Sequence, residues 1–374
     1  MKSIKPKGLI FISDVEKALE HEWFVDFVNK SEFELTFILF NSKNSELFNY
    51  IVKNGFVCKN FALKTKYFIP YYIILFAIKL LFRRVNFVHC HLFEASLIGL
   101  ISAKIAGIKK RIYTRHHSDF HHTYFPKAVK YDLLINKLAT HIIAVSNTIK
   151  KILIHMENVQ TDKITVIPHG IPFSTFNKSI TKQEVDEIKK KYIINDYSPV
   201  IGVISRFTEW KGVHYIIPAF KELLLSYPNA KLILANAEGD YEIEIRKLLS
   251  DIPQSAYQLI LFEPNIIPLY KSFDVFVHTP IDANCEAFGQ IYIEALCFEI
   301  PMICTLSGIA NDLIINERNA LVVDYKNTKE IYLALKKLLT NKDLCNKLVH
   351  QGKIDVKEYN FEMKFKRTKS IYLS

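Results

Sequence analysis

Short, almost wholly apolar runs separated by stretches of helical character are the feature that most restricts what this chain can become. GLIFIS at 8–13 precedes a helical segment, Val15–Asn29, and Phe33–Phe40 is a second apolar run. NFVHC at 86–90 leads into helical Ala95–Ala106, where Gly107 is a natural stop. Arg111–Thr114, His141–Val145 and Ile164–Ile167 continue the series, with Ser146 placed to cap a helix over Asn147–Leu153. Strands that alternate with helices in this way build βαβ units and parallel sheets.

The rhythm breaks at 174–197, a polar, Lys-rich stretch that reads as a linker with one short helix. It then restarts, with strands expected at Pro199–Ser205, Lys231–Ala235, Leu259–Phe262, Asp274–His278, Met302–Thr305 and Ala320–Val323. A length of 374 residues suits two domains at about 150 residues each. The expected fold class is therefore α/β, with two Rossmann-like, doubly wound parallel-sheet domains at 1–178 and 195–350. A helical tail, 351–374, has the length to cross back to the first domain. Ligands of open α/β sheets bind outside the carboxyl ends of the strands, so two such domains facing each other would enclose a cleft there.

Charge is unevenly spread. Residues 1–180 hold 25 Lys and Arg against 13 Asp and Glu, and residues 181–374 hold 24 against 25, so the net +11 comes from the first half. A basic half calls for an anionic partner or is simply a solvated surface. No nucleic-acid-binding module is recognisable, so nucleic acid is not an expected partner. The six cysteines form no CxxC pair and no Cys/His metal cluster, which fits small buried hydrophobes in a reduced, cytoplasmic setting. No secretory leader is expected, because the apolar stretch Gly8–Ile12 is too short. The longest apolar run, Tyr67–Phe82, contains Pro70 and Lys79 and falls short of the ~20 residues that span a bilayer. Two readings stay open: a core helix over Tyr71–Phe82, or a helix lying at a membrane interface near Lys64–Arg84. In the second, Lys64, Lys66, Arg83 and Arg84 would meet anionic headgroups.

Three motifs carry chemistry. Glu286 and Glu294 are separated by seven residues, with Phe288-Gly289 after the first and helical character over Gln290–Cys297. Glu286 then lies in a loop and Glu294 about two turns inside the helix, ~12 Å further along. A helix N-terminus between them offers free N–H groups and a positive dipole end, and Gly289 lets a diphosphate approach the backbone. Arg206 directly after a strand, with Lys211-Gly212 in the next loop, supplies two cations for a departing diphosphate. Tyr113-Thr-Arg-His-His-Ser-Asp follows another strand, where a histidine can bond a sugar hydroxyl. His116, His117, His121 and His122 invite comparison with a metal cluster. No Cys or acidic triad accompanies them and adjacent side chains on extended backbone point opposite ways, so no metal site is expected.

Taken together, the chain resembles the retaining glycosyltransferases of the GT-B type known as the glycosyltransferase 4 family, or glycosyl transferases group 1. The resemblance covers about residues 86–340. It rests on Val88-His-Cys-His91, AKIAG at 103–107, HIIAVS at 141–146, KITVIPHGI at 163–171, Arg206 with Lys211-Gly212, and the Glu286/Glu294 pair. It implies that Arg206 and Lys211 bind the donor diphosphate together with the amides around Phe288, Gly289 and Gln290. Glu294 would bind the ribose and Glu286 the transferred sugar. His116 aligns best with the family's histidine near the donor sugar, with His117 a close second. The sequence departs from the family in four places: Ser13-Asp14-Val15-Glu16 stands where a Gly-rich loop is usual, Ser307-Gly308 where Gly-Gly is usual, Asn311-Asp312 about where a glutamate is often found, and His169-Gly170 where Asn-Gly is usual. The implied function is transfer from a nucleotide-diphosphate sugar to a glycan or polyprenyl-linked acceptor of the cell envelope, without a metal cofactor. This would take place in the cytoplasm, with peripheral contact to an anionic membrane. The rival readings are a sugar-nucleotide epimerase or hydrolase of the same fold, and a non-catalytic nucleotide-sugar-binding protein.

Overall fold

The computed structural model describes residues 5–41, 43–63, 65–172, 174 and 180–374. The chain forms two compact units, one of Met1–Pro172 with Asn360–Ser374 and one of Phe173–Tyr359. The sequence-based boundary at 178 lies outside the described residues, as does Lys64. The second unit starts before residue 195, because helix Lys182–Lys191 belongs to it, opened by a capping box between Thr181 and Glu184. It also runs past 350, through Tyr359.

The first unit is a seven-stranded parallel sheet. Its strands are β1 (Lys7–Ser13), β2 (Glu34–Phe40), β3 (Val57–Asn60), β4 (Phe87–His91), β5 (Lys110–Arg115), β6 (His141–Ala144) and β7 (Ile164–Val166). They lie in the order β3-β2-β1-β4-β5-β6-β7. Ser146 caps the helix after β6 by accepting from the Ile149 N–H at 3.3 Å. The helix after β1 is shorter than its pattern, Leu19–Phe27. The Asn41 side chain accepts from the Val15 N–H at 3.1 Å and donates to the Val15 carbonyl at 2.8 Å, which holds the preceding residues as a loop. Edge strand β3 was not expected from the sequence. Its residues alternate between exposed and half-buried, so VCKN carries no apolar run.

The last helix, Phe361–Leu373, packs on the first sheet. Tyr372 stacks on Phe87 with centroids 4.2 Å apart. Its hydroxyl lies 2.7 Å from His89 Nδ1. Its carbonyl accepts from Lys110 Nζ at 3.0 Å.

Between β3 and β4 runs helix Ile69–Leu81. It starts near the carboxyl edge of the sheet, where the Phe61 N–H bonds the Leu39 carbonyl. It ends near the amino edge, where the Asn86 N–H bonds the Lys7 carbonyl. Tyr72, Phe76, Ala77 and Leu80 are buried against the unit, and Ser102 of the neighbouring helix donates to the Ile73 carbonyl at 3.0 Å. The opposite face is apolar and open: Tyr67 is 93 %, Ile74 61 % and Phe82 86 % exposed, with Tyr71, Ile78 and Leu81 between them. The core-helix reading describes one face of this helix and leaves the other to be explained. Among the described residues no helix is long and apolar enough to cross a membrane.

The second unit has a six-stranded parallel sheet. Its strands are β8 (Val200–Ile204), β9 (Lys231–Ala235), β10 (Tyr257–Ile260), β11 (Val275–His278), β12 (Met302–Cys304) and β13 (Leu321–Val322). The order is β10-β9-β8-β11-β12-β13. β10 ends two residues before the apolar run does. The ladder closes with the Ala237 N–H on the Ile260 carbonyl, and Leu261 and Phe262 lie exposed beyond it. In both sheets the chain order reverses beside the first strand of the unit, between β1 and β4 and between β8 and β11. These are the places where doubly wound sheets open a crevice for a ligand.

Candidate active site

The crevice of the second sheet gathers most of the residues singled out above. Arg206 lies just past β8, exposed, and its guanidinium has no partner among the described residues. Lys211 ends a single 3-10 turn, and Gly212 follows with φ +70°. A Cβ at Gly212 would lie 1.9 Å from the Thr279 carbonyl oxygen, so only glycine lets the loop after β8 come this close to the loop after β11. That approach brings Lys211 Nζ to 2.5 Å from Glu286 Oε1. His278, the last residue of β11, places Nε2 3.1 Å from the same oxygen. The Glu286 N–H donates to Ser307 Oγ at 3.0 Å, which gives the departure from Gly-Gly at 307–308 a structural role. Burial pushes the Glu286 carboxyl upward, but the Lys211 charge and the His278 hydrogen bond outweigh it and hold the group at about 2.

Gly289 is the N-cap of helix Gln290–Cys297, with φ +82° and no side-chain cap. A Cβ there would meet the Tyr292 ring at 2.7 Å. The conformation, as well as any ligand, therefore calls for glycine. With glycine at the N-cap, the helix has no capping side chain of its own to meet its positive dipole end. Phe288 is a packing residue. It is buried, and its carbonyl accepts from the Ile309 N–H at 2.7 Å. Glu294 is the fifth helical residue, one turn into the helix rather than two. Its carboxylate accepts from Tyr270 Oη at 2.9 Å and from Gln290 Nε2 at 3.2 Å. Burial raises its pKa, and these bonds offset part of that.

In the first unit His116 and His117 part company, as neighbours leaving a strand should. His116 Nε2 lies 3.0 Å from His91 Nδ1, and its ring stacks on His169 at 5.5 Å. Burial holds His116 well below the usual imidazole range. His169 Nδ1 is 2.9 Å from Glu20 Oε2, and Lys364 of the last helix pairs with Glu20. His117 turns toward Asp132, 3.4 Å away, which also takes His121 at 2.7 Å. The acidic companion that the sequence pattern lacked is thus supplied by another helix, Val129–Leu138. Two groups, Glu20/His116/His169 and His117/His121/Asp132, have ligand atoms within 4.8 Å of one another. Each also faces a fixed cation. Lys364 sits on Glu20, and the fully buried guanidinium of Arg115 lies 3.6 Å from Asp132. A second cation at either place would meet that charge.

Sequence reasoning missed Glu20, His91 and Lys364 as partners of His116, and His278 as a partner of Glu286. His278 carried a usable signal, since it ends the strand that borders the crevice. Lys364 carried none, because its helix reaches the first sheet only through the tertiary fold.

Comparison with known proteins bears on both units. The family profile described as "Glycosyltransferase Family 4" matches residues 29–174, and the one described as "Glycosyl transferases group 1" matches residues 184–355. The chain is 29 % identical over 301 residues to the capsular polysaccharide biosynthesis glycosyltransferase CapM of Staphylococcus aureus, covering 75 % of this chain and 74 % of that one. It is 26 % identical over 308 residues to the alpha-monoglucosyldiacylglycerol synthase of Acholeplasma laidlawii, covering 78 % and 75 %. The fold matches that of Anabaena Alr3699/HepE, solved in complex with UDP-glucose, with a TM-score of 0.82 at 16 % identity over 97 % of this chain and 98 % of that one.

Proposed function

Because the chain is a glycosyltransferase of the GT-B type and belongs to glycosyltransferase family 4, we propose that it is a retaining enzyme of cell-envelope synthesis. On this reading it moves a sugar from a nucleotide-diphosphate donor to a glycan or polyprenyl-linked acceptor. The observation that carries the proposal is the meeting of Lys211 and Glu286 in the crevice of the second sheet, beside exposed Arg206 and an uncapped helix start. Arg206, Lys211 and the amides of Phe288, Gly289 and Gln290 take the diphosphate. Glu294 takes the ribose hydroxyls, and Glu286 takes a hydroxyl of the sugar. His116 is the first unit's candidate for a sugar hydroxyl.

In the transfer, the bond from the anomeric carbon to the β-phosphate oxygen breaks and its electron pair stays on that oxygen. The acceptor oxygen bonds the same face of the carbon. The acceptor proton passes to the departing phosphate. The protein holds the partners in place and stabilises the growing diphosphate charge. Two cations and a helix terminus fill the place a divalent metal would take at the diphosphate, so transfer should persist in EDTA.

The acceptor side is proposed to work at a membrane. The open apolar face of helix Ile69–Leu81 is bounded along the chain by exposed Lys66, Arg83 and Arg84, a pairing that suits the anionic inner face of a cytoplasmic membrane. The helix begins near the carboxyl edge of the first sheet, so lipid held along it would lie beside that crevice. The relative named as a glycolipid synthase is in keeping with this.

Thermal-shift screening with UDP-, GDP-, ADP- and CMP-sugars identifies the donor, and NMR of the product anomer then reads the stereochemistry. An inverted product would overturn the retaining assignment. Donor consumed at full rate without acceptor would favour an epimerase or hydrolase.

A further inference from the structure

Two donors converge on one oxygen of Glu286. Lys211 Nζ and His278 Nε2 both bond Oε1, at 2.5 and 3.1 Å, and Oε2 accepts from no described residue. The two donors differ in kind. Lys211 stands on a loop with its side chain 18 % exposed, whereas the His278 side chain is 2 % exposed. The His278 backbone is locked in the sheet by pairing with Cys304. Its ring is wedged edge-on against Tyr292 at 5.0 Å. His278 Nδ1 is buried without a partner among the described residues. A proton on Nδ1 would be an unsatisfied buried donor, so the single proton sits on Nε2 and points at the carboxylate. Burial likewise keeps this imidazole neutral, against the pull of Glu286.

Resting on the donor-site reading above, the geometry points to His278 as a positioning residue that holds Glu286 in place while Lys211 leaves it for the donor diphosphate. The ammonium has three N–H donors, and the diphosphate, which carries the greater charge, draws it off Glu286 Oε1. When Lys211 moves, a nearly buried carboxylate loses its cation. His278, which cannot follow, keeps the carboxylate rotamer. Oε2 and the vacated side of Oε1 then accept the sugar hydroxyls. Sugar recognition is in this way tied to occupancy of the diphosphate position. Nucleotide diphosphate should bind without help from His278, and the extra affinity contributed by the sugar should depend on it.

Calorimetry with the donor found in the screen, and with its nucleotide diphosphate alone, separates these roles in wild type, His278→Leu, His278→Gln and His278→Asn. Gln can place an amide N–H near the position of Nε2, and Asn is too short to do so. The expected result is that His278→Leu and His278→Asn bind the nucleotide diphosphate within about threefold of wild type. They should lose the sugar increment and drop in kcat by about 10- to 100-fold, the usual range for a hydrogen bond to a charged group. His278→Gln should recover most of both. If the Leu variant does not fold, the Gln and Asn pair carries the comparison. Equal losses for both ligands, or Gln no better than Asn, would overturn the positioning role while leaving the donor site standing. Failure of the wild-type protein to bind any nucleotide would remove the donor-site reading, and this inference with it.

Discussion

At the scale of single residues, the two cations of the second crevice are not equivalent. Arg206 is exposed and free to meet a ligand, while Lys211 is already paired with Glu286. Both should matter for transfer: Arg206→Ala and Lys211→Ala are each expected to lower kcat by ~10²–10³ with the fold intact, the usual cost of removing a donor to a developing oxyanion. Steady-state assays with circular dichroism check this, and near-normal turnover in both variants would refute the assignment. The two glutamates should separate by ligand. Glu294 has neutral partners, Tyr270 and Gln290, and is assigned to the ribose, so Glu294→Ala should weaken nucleotide diphosphate binding more than Glu286→Ala does. Glu286→Ala should chiefly impair transfer. Equal losses in titrations with free nucleotide diphosphate would argue against that division.

At the scale of an element, helix Ile69–Leu81 shows why a hydrophobic run can be read two ways. A run apolar all round has no polar face to mark which side meets solvent. Here one side is consumed by Tyr72, Phe76, Ala77 and Leu80, and the other stays open. If the open side rests on lipid, the protein should float with liposomes containing anionic lipid at low salt and release as salt rises. Arg83→Glu together with Arg84→Glu should reduce flotation several-fold, and Ile78→Gln should weaken it without unfolding, since that side chain is 51 % exposed. Intact protein that stays unbound at low salt would make a soluble acceptor the better reading. The last helix shows the opposite difficulty. Its length allows a return to the first domain but its polar sequence does not mark where it docks, and Ile371 and Tyr372 are buried in the first unit.

At the scale of the whole molecule, the first unit concentrates imidazoles in its interior. Burial lowers His21 to about 4 and His89 to about 3, and holds His91 and His116 well below the usual range. The sign follows from linkage. Below about pH 6.5 the unfolded chain takes up protons that the folded one refuses, so stability is complete above that pH and falls as pH drops toward the folded values. Each such histidine costs about 1.4 kcal/mol per pH unit in this window. His21 and His89 alone therefore remove about 4 kcal/mol by pH 5, a large share of a typical stability of 5–15 kcal/mol. Trp23 is buried in this unit, and once Trp210 is replaced by Phe its fluorescence follows the unit alone. The urea midpoint should fall steeply from pH 7 to 5, and a flat profile would mean that the imidazoles accept protons inside the fold.

The sequence by itself determined the class of fold and the existence of two sheets, because buried parallel strands must be written as apolar runs whatever surrounds them. It also determined which residues border the second crevice. Glu286, Arg206, Lys211 and the glycine before Gln290–Cys297 stand at strand ends and helix starts, and those positions are local. The tertiary structure alone decided which side chains meet across the chain. Lys211 lies 75 residues from Glu286, and Lys364 lies 344 residues from Glu20. Pattern and propensity extend over a turn or a strand, whereas these contacts depend on the order in which the sheet stacks its strands and on where the last helix comes to rest.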